Sequence, residues 1–72
     1  MNFFSATNAA LQAKFLVGNN VKIIGKDEFK GLIGTIVRIE QVGQEEFIYT
    51  IELDANKKKI ERYKTSLERS IL

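Results

Sequence analysis

The densest chemistry in the sequence lies between Lys57 and Lys64. Lys57, Lys58, Lys59, Arg62 and Lys64 set five cations against one carboxylate, Glu61, within eight residues. Spread along an extended backbone, such a row suits contact with successive phosphates. Lysine is also the usual residue that keeps an exposed edge strand from pairing with another chain, so the run serves either purpose. Lys26 and Lys30 form a second group, with Asp27 and Glu28 between them offsetting their charge. Phe29, at the tip of the same stretch, suits stacking on a base or an apolar partner, while its burial preference favours folding down onto a core. A third group, Phe3, Phe4, Leu11 and Phe15, is apolar with almost no charge around it. It suits either capping an open end of the core or docking into a groove on a larger protein.

Catalysis has little to work with. The chain has no histidine and no cysteine, which removes the usual general base, the thiolate nucleophile and the commonest metal ligands. Glu45 and Glu46 are adjacent, and on a strand they would face opposite sides and not act as a pair. Lys64 and Ser66 sit in no nucleophile motif, and the glycines miss the spacings of phosphate-cradling loops. The expectation is a non-enzymatic binding module with no cofactor, no metal and no small-molecule substrate.

Seventy-two residues make one domain close to the size at which a single core is marginal. Without cysteine or proline, its stability must come from packing and strand pairing. The net charge of +2 is small, so the local distribution of charge matters more than the total. No basic leader or long apolar run opens the sequence, which predicts a cytoplasmic protein without membrane insertion.

The elements that must position these residues are short. Phe4, Leu11 and Phe15, with Ala9, Ala10 and Ala13 among them, predict a helix of two to three turns closed by Gly18-Asn19-Asn20. Val21 to Ile24 reads as a strand, followed by a loop from Gly25 to Gly31. The next strand runs from about Leu32 to Gln41, and Ile36, Val37 and Ile39 break its alternation in the manner of a bulge. After a turn at Val42-Gly43-Gln44, Glu45 to Leu53 alternates cleanly, with Phe47, Tyr49, Ile51 and Leu53 on one face. Asp54-Ala55-Asn56 reads as a hairpin turn with Asn56 left-handed, and Lys57 to Lys64 as the returning strand, with Ile60 its core residue. Tyr49 and Tyr63 are expected in the core with their hydroxyls at its rim. Thr65-Ser66-Leu67-Glu68 has capping-box spacing and predicts one helical turn, after which Arg69 to Leu72 returns to the core.

Four to five short antiparallel strands with tight turns predict a mainly β fold, a small SH3-like barrel over residues 18–72, with an N-terminal helical, apolar extension over 1–17 and a C-terminal helical turn. Gly18, Val21, Ile23, Gly25-Lys26-Asp27, Lys30-Gly31, Gly34 and Ile36 also resemble the KOW motif, a strand-loop-strand unit of such barrels. The resemblance covers about half the chain, with Glu28-Phe29 lengthening the loop. It implies a module that binds RNA, DNA or a nucleoprotein machine, as in ribosomal proteins and transcription elongation factors, through Lys26, Phe29, Lys30 and the basic strand. Similar barrels also serve as Tudor modules and as a small stromal subunit of photosystem I. The alternative is therefore a protein–protein assembly subunit docked through Phe3, Phe4, Leu11 and Phe15.

Overall fold

The computed structural model describes residues 14–70. Five strands, β1 (Asn20–Ile23), β2 (Ile33–Gln41), β3 (Phe47–Leu53), β4 (Lys59–Tyr63) and β5 (Leu67–Arg69), form one antiparallel sheet. The strand order is β4-β3-β2-β1-β5, so β4 and β5 are its edges, joined in the chain by a single 3-10 turn, Lys64–Ser66. No ladder pairs β4 with β5 among the described residues.

β3 is an inner strand, paired with β2 and β4, and has the clearest sequence pattern. Phe47, Tyr49, Ile51 and Leu53 are all buried, and the residues between them are half-buried. Burying alternate side chains on one face is what period-two alternation produces. The same face collects Phe15, Val21, Ile23, Ile36, Ile60 and Leu67 into one core. The expected bulge is present in β2, where the register shifts between Ile36 and Arg38 and leaves Val37 unpaired and exposed. The extra residue bends the strand, as bulges do. Gly34 sits where β2 crosses closest to β3: a Cβ there would lie 2.5 Å from Ile51 Cγ2 and 2.6 Å from the Glu52 carbonyl oxygen.

Several local expectations are corrected. Lys57, not Asn56, takes the left-handed conformation, with φ 62°. The hairpin closes one residue later than expected, with the Leu53 amide donating to Lys58 O and the Lys57 amide to Leu53 O. Asn56 instead uses its side chain to accept from the Lys58 amide at 3.0 Å. The capping box does not form. The helical turn begins at Lys64, its N-cap Tyr63 makes no side-chain cap bond, and Leu67 and Glu68 belong to β5. Pairing of Leu67 with Ile23 and burial of its side chain outweigh a local capping preference. The residues expected to return to the core, Ile71 and Leu72, lie outside the described residues; Leu67, on β5, is buried in the core. Glu45 and Glu46 precede β3 in the turn instead of lying on the strand. The expected N-terminal helix falls largely on residues 1–13, outside the described part. Within that part, Phe15 joins the core across the expected boundary at residue 17.

Candidate nucleic-acid interface

The loop between β1 and β2 is folded by its own backbone and by Asp27. Gly25 and Gly31 take φ +84° and +91°, conformations that side chains rarely adopt, and bring the loop back on itself. The Gly31 amide donates to Ile23 O and the Lys30 amide to Asp27 O. Asp27 Oδ1 accepts from the Phe29 amide at 2.9 Å, a side-chain turn of the kind aspartate favours.

That loop is tied to β4. Arg62 Nε donates to Asp27 Oδ2 at 2.6 Å and Nη2 donates to Oδ1 at 3.2 Å. The guanidinium also donates from Nη1 to Glu61 O at 2.7 Å. The bidentate geometry matches a planar fork to a carboxylate. The Asp27 side chain is 9 % exposed and that of Arg62 26 %, so the pair is screened far less than an open surface bridge. The hydrogen bond from Arg62, joined by that from the Phe29 amide, holds the Asp27 carboxyl below its ordinary pKa, against the opposing effect of burial. The same bond raises the pKa of Arg62.

Phe29 packs against the edge of the core and is half-buried. Two β4-side cations lie over its ring: Lys58 Nζ at 5.1 Å from the centroid and Arg62 Cζ at 5.7 Å. These are cation–π distances. The aromatic that the sequence offered for base stacking is thus already engaged by its own chain.

The structure brings the two basic segments together. Residues 25–31 and 57–64 hold seven of the eleven Lys and Arg and three of the nine Asp and Glu. The remainder of the chain is therefore acidic, and the positive charge is concentrated where loop and strand meet. Lys26, Lys30, Lys57, Lys58, Lys59 and Lys64 are all exposed. Arg62 belongs to the same cluster, but its fork is turned inward to the loop. Lys59 lies on an edge strand, so the charge also guards that edge.

Phe15 lies in the core, 1 % exposed, with its ring edge-on to Tyr49 at 5.4 Å and 79°. It is not available as a docking residue. Phe3, Phe4 and Leu11 lie outside the described residues. Tyr49 is buried as expected, whereas Tyr63 is 47 % exposed. No helix among the described residues is long and apolar enough to cross a membrane, and no cluster of potential metal ligands occurs among them. No family model, curated protein or solved structure matches the chain.

Proposed function

We propose that this chain is a non-enzymatic, SH3-like barrel of the KOW type that binds RNA or DNA, free or within a nucleoprotein machine. The binding surface consists of the 25–31 loop, the β3–β4 turn and β4. Lys26, Lys30, Lys57, Lys58, Lys59 and Lys64 contact phosphates, and Arg62 anchors the loop beneath them. No cofactor takes part.

The observation that carries this reading is the Asp27–Arg62 pair, which docks the loop against the basic strand. β1 and β4 are three strand spacings apart in the sheet order, about 14 Å in a flat sheet. A direct bond between Asp27, four residues past β1, and Arg62 on β4 is consistent with a sheet that curls. Curling supports the barrel, as does the 3-10 turn joining the two edge strands and the placement of the whole core on one face. Lys57 adds support of a different kind. A left-handed turn position favours glycine or asparagine, and lysine there costs about 1 kcal/mol. A charged side chain at a strained position is consistent with use of its charge.

The test is fluorescence anisotropy with a mixed-sequence RNA strand at several salt concentrations. The reading expects affinity to fall linearly on a log–log plot, with a slope of about −0.7 per phosphate neutralised. Lys30→Glu with Lys59→Glu, both exposed and outside the Phe29 contacts, is expected to weaken binding and flatten the slope while leaving the urea midpoint near its original value. Undiminished binding in that double variant would refute the proposal.

A further inference from the structure

The turn before β3 and the end of β4 border an open pocket of about 440 Å³, within the range of small-ligand pockets. We infer that it receives one base of a single-stranded nucleic acid, with preference for a base carrying an exocyclic amino group. This rests on the nucleic-acid reading above.

Three observations specify the ligand. The cavity is lined by aromatic rings, with buried Phe47 and Tyr49 joined by exposed Tyr63. Tyr63 is the one aromatic among the exposed large apolar residues of the described chain, and a base can stack on it where Phe29 is already engaged. Tyr63 ends β4 and Lys64 follows it, and both line the cavity. A strand whose phosphates track β4 therefore delivers a base here without changing direction.

Glu45 and Glu46 also line the cavity. Lys14 and Lys64 line it too and balance their charge, while the carboxylates accept hydrogen bonds from amino groups of cytosine, adenine or guanine. The turn holds Glu46 in place. Its carbonyl accepts from the Val42 amide at 2.8 Å, and Gln41 Nε2 donates to Gly43 O and Gln44 O at 2.9 and 3.0 Å. Its side chain lies so close to Gly43 that a Cβ there would be 3.1 Å from Oε1. At the inner wall, the buried Tyr49 hydroxyl accepts from the Lys14 amide at 3.0 Å.

The experiment uses the full chain and labelled RNA octamers: all-uridine, the same strand with two central cytidines, and a duplex of equal length. The wild type is expected to bind the cytidine strand several-fold more tightly than all-uridine. Tyr63→Leu keeps the apolar body of an exposed residue and is expected to weaken both single strands about tenfold, with duplex binding unchanged. Glu46→Leu, which removes the acceptor from an exposed residue, is expected to reduce the preference for cytidine. Equal binding of all three probes, unaffected by either variant but still lost with salt, overturns the cavity and leaves the basic surface standing. No binding of any probe at low salt overturns both.

Discussion

Arg62 and Asp27 are 35 positions apart in sequence and share two hydrogen bonds, at 2.6 and 3.2 Å. The pair turns two separate basic segments into one surface, and it has opposite consequences for stability and binding. It fixes the loop, yet it neutralises Arg62, the one arginine of the two basic segments. Asp27→Asn is therefore expected to lower stability by about 2 kcal/mol, typical of losing hydrogen bonds to a charged group. It is also expected to raise affinity for RNA, because it releases a guanidinium and removes a negative charge. Urea unfolding and anisotropy on the same preparation check both signs. Unchanged stability would mean that Phe29 and the loop's backbone hydrogen bonds hold it without the pair.

The same pair sets an acid limit. The pKa of Asp27 is depressed in the folded chain, so its contribution is fully present above the unfolded value of about 3.8. It is lost as pH falls through the lower folded value. The wild type is expected to lose its margin over Asp27→Asn progressively below about pH 4 and to keep it between pH 5 and 7. Thermal midpoints of the two proteins across that range provide the measurement. A constant difference at all pH values would rule the linkage out.

Legibility in the sequence follows the range of the interactions. The alternation of Phe47 to Leu53 and its interruption at Val37 are local, and both are realised in β3 and β2. The end of the chain is different. Thr65 to Glu68 has a capping pattern, but β5 is decided by pairing with β1, more than forty residues earlier. Four residues carry no trace of that. The hairpin was displaced by one position because the Leu53–Lys58 bond, not the turn composition, fixes its closure. The lysines of the candidate surface were readable as a charge run. Asp27 was readable only as local neutralisation of Lys26 and Lys30, because its actual partner lies on another strand. The cavity beside Glu46 left no signal, since it depends on the path of a turn at Gly43.

Gly34 tests the closeness of β2 to β3. An alanine Cβ would meet Ile51 Cγ2 at 2.5 Å and the Glu52 carbonyl oxygen at 2.6 Å. The second neighbour is backbone in β3, an inner strand, and cannot rotate away. Gly34→Ala is expected to cost about 3 kcal/mol, at the upper end for overpacking, which is a large share of the stability of a domain this small. A drop in urea midpoint without change in slope is the expected signature. A variant as stable as the wild type would show that the two strands separate without penalty.

Phe15 tests whether the segment before β1 belongs to the domain. Its ring is buried and edge-on to Tyr49, so Phe15→Ala is expected to cost about 3 kcal/mol through lost burial and the space left behind. Leu16→Ala, one residue on but 48 % exposed, is expected to change stability by less than about 0.5 kcal/mol. Chemical denaturation of both separates a core role from a docking role. If Phe15→Ala folded normally and lost only a partner, the segment would be an interaction arm.

Lys57 separates stability from function most directly. With φ 62° it occupies a conformation that glycine reaches without steric penalty. Its charge lies at the β3–β4 turn, at the head of the basic strand. Lys57→Gly is expected to raise stability by about 0.5 kcal/mol, the relief of backbone strain being partly offset by the freer unfolded chain. It is also expected to weaken RNA binding and reduce the salt slope by about one contact's worth, ~0.7. Lys57→Asn, tolerated in the same conformation, should behave alike. A gain in stability with no loss of binding would remove Lys57 from the surface and leave its strain without a functional counterpart. Loss of binding together with higher stability would place the charge of Lys57 in the interface.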